Sequence, residues 1–533
     1  MTIQEKIIHT IANFSPFAER ANVYSSENEL LGHYSTNIAF VLAKEKHLPP
    51  IKVAEELALY LKKSAPDIFE RVDVARPGFV NMWIKRGVFF RELRLILKEK
   101  SHYGKRKLPR SRRKKIQVEF ISANPTGPLT LANGRGGFLG DALGNVLRAV
   151  GFSVEKEYYV NDTGNQVLTF GKSLLAARGI ISDEETFYKG EYIKKWAEKN
   201  AKLVGRYAKK PLELGKRASK DFLRMIQKTV EKKARIRFDR YTSEEADIHK
   251  KGYVKKALDE FQKKNRVYKS DGATWLKTTD YGDDKDRVLI KKDNDPTYFL
   301  ADAGHYLETK KRGFNAKILI LGPDHYGYVA RIQAVARILG IEKSDVIITQ
   351  AVRLMRDGKE IKMSKRKGEF VTFEELVEEV GSDAARFFFL MISAETHMNF
   401  DLKLAKERSL KNPVFYAQYA AVRARSILKK TGRATLPTIS ELNKLSTNDD
   451  TRLIKKLSEF PDILMNVSED YKAHRLTQYT LELARAFHGL YEKERILGEE
   501  KSIAKMRTAL ISASFIVFKN LFTILGISLP TKM

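Results

Sequence analysis

A doubly wound α/β fold, with a parallel sheet between layers of helices, a smaller α+β module before it and a helical bundle after it, is what this sequence predicts. Three observations predict it. The apolar run "KIQVEFIS" feeds a glycine-rich stretch and then a segment of helical apolar spacing, so strand, turn and helix follow in succession. Further on, "AKILILG" (residues 316–322) is a nearly continuous apolar run, as a parallel strand covered on both faces requires. Beyond about residue 405 the pattern is helical throughout; Leu476, Tyr479, Leu483, Phe487 and Leu490 recur at spacings of three and four.

The elements follow in order. "MTIQEKIIHTIANF" carries Glu5 and Lys6 within its apolar spacing and reads as an amphipathic helix rather than a secretory leader. Two further helices are divided by Pro49 and Pro50, whose rings block continuation, and residues 77–84 read as a strand after a Pro-Gly turn. Residues 105–115, "KRKLPRSRRKK", are a cationic linker that either contacts phosphates or is simply solvated. After the first strand and the glycine-rich loop comes "GGFLGDALGNVLRAVG", in which Leu139, Leu143, Val146, Leu147 and Val150 share a helical face and Gly151 closes the helix. "FSVEKEYYVND" is the next strand, and the unit is βαβ of the Rossmann-like kind. A Lys- and Glu-rich helical insertion is expected over about residues 180–270, and "RVLIKK" returns to strand. At 533 residues and roughly 150 per domain, about three domains are expected. We place them at 1–105, 106–400 and 401–533.

Composition narrows the function. There is no cysteine, which removes disulfides, thiolate zinc sites and a cysteine nucleophile. No uninterrupted apolar run approaches about 20 residues, so no membrane span is expected. Lys and Arg number 97 against 66 Asp and Glu, a formal net charge of +31, which favours a polyanionic partner such as RNA or DNA.

Two motifs carry chemistry. "SANPTGPLTLANGRGG" (residues 122–137) runs from a strand into a helix N-terminus, where backbone N–H groups and the helix dipole favour an anionic phosphate. It has neither the Walker nor the GxGxxG spacing, and a tight structural turn would look the same. "GKEIKMSKRKGEFVTFEEL" crowds Lys359, Lys362, Lys365, Arg366 and Lys367 on a glycine-flanked segment, which suits neutralising charge on a transferring triphosphate.

Together the two elements resemble the paired signatures of class I aminoacyl-tRNA synthetases. Residues 363–390, with "VEFISANPTGPL", "TTDYGDDKDRVLIKKDNDPTYFLAD", "LGPDHYGYVARIQA" and "NPVFYAQYAAVRARSI", further resemble the arginyl-tRNA synthetase version over essentially the whole chain. The resemblance implies two steps. Arginine's carboxylate attacks the α-phosphate of ATP, carried with Mg²⁺, and the arginyl group then passes to the 2′-hydroxyl of the terminal adenosine of tRNA(Arg), which this family generally needs bound for the first step. It implies Lys362 and Lys365 as catalytic with Thr130 and Asn133, and Pro128, Thr130, Asn133, Gly134, Asp324, His325, Met363, Ser364 and Lys365 as ATP contacts. It also implies an anticodon-reading bundle, an N-terminal module that contacts the tRNA body, no zinc, a cytoplasmic setting and a monomer.

The side chain of arginine tests the idea independently. A guanidinium has five donors and no acceptor, so its pocket must supply carboxylates or neutral acceptors. Glu119 ends the first strand, and Tyr298 and Asp302 lie four apart after an expected cap at Asp295-Pro296. These match the family's arginine contacts, with Asn124 as partner of the α-amino group. The class usually reads His-x-Gly-His at the helix start, whereas this chain reads Thr130-Leu131-Ala132-Asn133. Loss of a charge-assisted donor costs about 1–3 kcal/mol of transition-state stabilisation. The alternatives are a non-catalytic tRNA-binding paralogue and a class I synthetase for another amino acid.

Overall fold

The computed structural model describes residues 1–533 except 16, 18–20, 27, 110, 112, 362–370, 433 and 497. Its centre is a five-stranded sheet in the order Lys343–Ile348, Ala316–Leu321, Lys115–Glu119, Ser153–Val160, Arg240–Ser243. Every neighbouring pair in it is parallel. Chain order reverses between Lys115–Glu119 and Ala316–Leu321, so the C-terminal ends of these two strands flank the crevice in which such sheets bind ligands.

Two expectations about this sheet need correction. Its edge strand Arg240–Ser243 lies inside the stretch expected to be a helical insertion. At four residues, "RYTS", it is too short and polar to announce itself by periodicity. The helix after the first strand starts at Leu131, ahead of the segment from Gly136 read as helical, so Gly134 too belongs to the helix and not to the loop.

Those glycines have a packing reason. Gly134, Gly137, Gly140 and Gly144 recur at helical spacing, and an added Cβ would lie 2.2 Å from the Phe373 ring, 2.8 Å from Ile121, 2.2 Å from Phe120 and 2.6 Å from Lys156, respectively. The helix Leu131–Ala149 therefore lies against its neighbours closer than any side chain allows. Beneath it Asp141 accepts from Lys156 Nζ at 2.7 Å and from Arg386, whose guanidinium also reaches the Leu525 carbonyl at 3.2 Å. Buried charges of this kind are tolerated because each is paired.

Before the sheet, four antiparallel strands in the order Val23–Ser25, Tyr34–Thr36, Phe79–Ile84, Phe69–Ala75 form an α+β module. Its first helix, Ile3–Ala12, begins in a capping box between Thr2 and Glu5. A three-stranded antiparallel sheet, Arg287–Ile290, Ala273–Leu276, Val267–Ser270, precedes the helix Tyr298–Lys311, and Thr297 caps that helix rather than Asp295-Pro296. The helices from Pro413–Thr431 to Lys501–Leu525 form the bundle, with Leu476, Tyr479, Leu483, Phe487 and Leu490 all buried as their spacing requires. Lys501–Leu525 is long and apolar enough to cross a membrane by length and composition, but 72% of its apolar window is buried inside the protein. A single hydrophobic cluster runs from the N-terminal module through the central sheet into the bundle.

Candidate active site

At the end of Lys115–Glu119 the chain passes through two consecutive left-handed residues, Ile121 (φ 66°) and Ser122 (φ 39°). A β-branched residue rarely adopts this conformation, and the neighbouring strand holds it there. The Tyr159 N–H donates to Ser122 Oγ at 3.1 Å and the Tyr158 hydroxyl to the Ala123 carbonyl at 2.7 Å. From there the loop follows the rim of a cavity of 1090 Å³ at the topological switch point. That is room for an amino acid and a nucleotide together, since a pocket for one drug-sized ligand takes about 300–1,000 Å³. Glu119, Asn124, Pro128, Thr130, Asn133, Asp302, Asp324 and His325 all line it. Gly127 lets the insertion close the far wall, because a Cβ there would lie 3.0 Å from the Tyr192 hydroxyl.

Thr130 and Asn133 are joined. The Thr130 N–H and hydroxyl both donate to Asn133 Oδ1 at 2.9 Å, and the Asn133 N–H donates back to Thr130 Oγ1 at 3.5 Å. This capping box satisfies the first turn of the Leu131–Ala149 helix. It also fixes the amide of Asn133: Oδ1 is engaged by Thr130, so the NH₂ remains as the donor. The hydroxyl hydrogen of Thr130 is already committed, and the pair brings one neutral donor group to the cavity in place of two imidazoles.

On the opposite side, Asp302 accepts a hydrogen bond from the Tyr328 hydroxyl. Burial raises its carboxyl to about 7, against the lowering effect of that hydrogen bond. Glu119 is buried and accepts from the ammonium of Lys317 at 2.7 Å. Below it Glu157 accepts from His305 at 2.7 Å, from Gln117 at 2.6 Å and from Arg312 at 2.9 Å. Burial pushes Glu157 up, but its bond to His305 and the nearby cations outweigh burial and hold it well below the usual carboxylate range. The His305 ring stacks on Tyr159 with centroids 4.1 Å apart. A polar layer thus lies between the sheet and the Tyr298–Lys311 helix, under the cavity floor.

Not every expected contact comes together. Tyr298 is 59% exposed, stands outside the cavity lining, and accepts from the Asn165 N–H through its hydroxyl at 3.1 Å. Gly134 faces Phe373 rather than the cavity. Asp324 and His325 sit at the mouth, 3.5 Å apart and largely open to solvent. Lys362, Met363, Ser364 and Lys365 lie outside the described residues. The chain just after them is tied to the signature: the Phe373 N–H donates to the Leu129 carbonyl at 2.9 Å, and Thr372 pairs with Thr130 as an isolated bridge. Gly134→Ala is expected to push Phe373 aside, at a cost of about 1–3 kcal/mol in denaturant unfolding and with a slower reaction, since Phe373 anchors that bridge.

Sequence reasoning missed Lys317 and Tyr328, which meet the pocket carboxyl groups of Glu119 and Asp302. A lysine inside the apolar run "AKILILG" was the visible signal for the first. Tyr328 has no comparable mark.

Comparison with known proteins fits this geometry. Residues 1–84 match the arginyl tRNA synthetase N terminal domain, 92–389 the catalytic domain of tRNA synthetases class I (R), and 417–533 the DALR anticodon binding domain. The arginine–tRNA ligase of Geobacter sp. (strain M21) is 41% identical over 519 residues, covering 94% of this chain and 93% of its own. That of Listeria monocytogenes serotype 4a is 38% identical over 520 residues, 94% and 92% of the two chains. The arginyl-tRNA synthetase of Thermus thermophilus has the same fold, with a TM-score of 0.80 at 21% identity over 100% of this chain and 99% of its own. With a catalytic-domain match over more than half its length and relatives of this identity along nearly all of it, the chain belongs to the arginyl-tRNA synthetase family.

Proposed function

We propose that the cavity activates L-arginine with ATP and that the activated arginine passes to the 3′ end of tRNA(Arg). The chain is an arginine–tRNA ligase, as its curated relatives are. The observation that carries the assignment of the site is the meeting, in one cavity at the switch point, of the buried Glu119 and half-buried Asp302 carboxyl groups on one side and a capped helix N-terminus on the other. A guanidinium needs the first and a polyphosphate the second.

In this reading Asp302 pairs with the guanidinium, Asn124 takes the α-amino group, and the arginine carboxylate faces the loop. It attacks the α-phosphorus, the bond to the bridging oxygen breaks, and pyrophosphate leaves. Asn133 donates to phosphate oxygen, while Lys365, and secondarily Lys362, neutralise the departing charge. Mg²⁺ enters with ATP as part of the substrate. Tyr298 stands outside the cavity lining, and the geometry gives it no part in holding the guanidinium. The bundle, by its match to an anticodon-binding domain, reads the other end of the tRNA. Division at 106 and 401, a monomeric state and a cytoplasmic setting belong to the same proposal.

Arginine-dependent ATP–pyrophosphate exchange, with and without tRNA(Arg), tests it. Exchange that requires arginine and is raised by tRNA is the expected result. Absence under both conditions would leave a tRNA-binding paralogue, and exchange driven equally by glutamine or citrulline would overturn the pocket assignment.

A further inference from the structure

The carboxylate at the end of the first strand is already matched by a cation of the protein's own. Lys317 sits on Ala316–Leu321, paired in register with Gln117, and its side chain therefore shares a sheet face with Gln117 and Glu119. Its ammonium is fully buried, 2.7 Å from Glu119 Oε2, 3.4 Å from His305 Nε2 and 4.8 Å from the centre of the Tyr306 ring. Glu119, Glu157 and His305 converge closely enough to hold a cation, and the ammonium of Lys317 supplies one. Lys317 does not line the cavity, whereas Glu119 does. The lysine approaches the carboxylate from behind.

A cation entering the cavity thus meets two carboxyl groups of different standing. Glu119 is compensated by an ammonium at contact distance, so its net pull on a second cation is small. Asp302 has a neutral hydroxyl as its hydrogen-bond partner and keeps its pull. We propose that Lys317 is a specificity-setting, positioning residue: it neutralises Glu119 from behind, leaves Asp302 as the charge partner of the substrate guanidinium, and sets how tightly the pocket holds a cationic amino acid. The proposal rests on the cavity being the arginine site.

Charge balance then fixes the signs. Lys317→Met uncovers the Glu119 charge and is expected to lower the KM for arginine about tenfold, an effect of roughly one net charge at short range in a partly screened site. Glu119→Gln leaves the buried ammonium unmatched beside the guanidinium and is expected to raise that KM by about the same factor. The double variant removes both charges and returns the KM to within about threefold of wild type. In all three the change falls on KM rather than kcat. Added arginine raises the melting temperature of Lys317→Met more than that of wild type, because the guanidinium replaces the lost cation.

A merely structural ion pair predicts otherwise, since both single variants would then raise KM or lower kcat together, and that result overturns the proposal. Lys317→Gln, which keeps a donor without the charge, serves if the methionine variant does not fold. If both fail, the double variant decides: a KM near wild type supports the proposal, and one raised tenfold or more refutes it. Wild type without arginine-dependent exchange would instead refute the assignment of the cavity, so the two failures are distinguishable.

Discussion

Asp302→Asn is expected to raise the KM for arginine at least a hundredfold and to abolish its pH dependence. The substitution keeps size and hydrogen bonding but removes the charge that Lys317 does not cancel, and losing one partner of a buried charge pair costs about 2–5 kcal/mol. The pH dependence follows from the carboxyl's position near 7, raised there by burial. Below that value the free protein holds Asp302 protonated, and a neutral acid is a poor partner for a guanidinium. KM for arginine should therefore fall as pH rises from about 6 to 8. Binding should release a proton near pH 6.5, measurable as a calorimetric enthalpy that varies with buffer.

The same linkage acts on stability. Because this carboxyl's native value lies above the unfolded one, the native state binds more protons between about 4 and 7, and stability from this group is lost as pH rises through that window. Arginine restores it, so the thermal shift caused by arginine should be larger at pH 8 than at pH 6. A KM raised less than fivefold, or a profile still sloping in the variant, would remove Asp302 from the guanidinium.

Much of this was legible in the residues, for reasons that can be named. "KIQVEFIS" and "AKILILG" announce parallel strands because a sheet covered on both faces selects apolar runs, and the bundle face at Leu476, Tyr479 and Leu483 follows from helical period. The stretch at residues 122–137 stands out by its glycine and proline content, although its part from Leu131 on is helix. What stayed hidden depends on contacts between segments distant in sequence. Arg240–Ser243 is a strand because it pairs with Ser153–Val160, not because its own residues demand it. Gly134 reads as a nucleotide contact until Phe373, 239 positions on, is seen against it. The pairing of Lys317 with Glu119 needs the register of two strands separated by most of the domain. Thr130 and Asn133 show the opposite case: their departure from the class pattern is plain in sequence, and only their mutual hydrogen bonds explain how a helix start without histidines is held.

That capping box bears on the second large effect expected, the loss of pyrophosphate exchange in Lys365→Ala. In a site with two imidazoles at the helix start, positive charge on the phosphates is shared between helix and lysine loop. Among the described residues the helix side offers, beside its own N-terminal dipole, the neutral amide of Asn133, its Oδ1 already engaged by Thr130, and no cationic side chain in place of the imidazoles. In the proposed reading the lysine loop then supplies most of the cationic part of transition-state stabilisation, and removing one aimed donor from a developing anion costs about 10²–10³ in rate. Lys365→Ala is expected to reduce exchange at the upper end of that range while leaving tRNA(Arg) affinity within about twofold. Asn133→Ala should cost only about tenfold, the worth of a neutral hydrogen bond together with some fraying of the first helical turn. The order of the two effects is the decisive measurement. If Asn133→Ala slows exchange more than Lys365→Ala, the phosphates are held by the helix start after all, and charge compensation by the lysine loop is wrong. The restored pair Thr130→His with Asn133→His adds a second reading: it should soften the loss in Lys365→Ala, because two imidazoles can take back part of the charge the lysine carried.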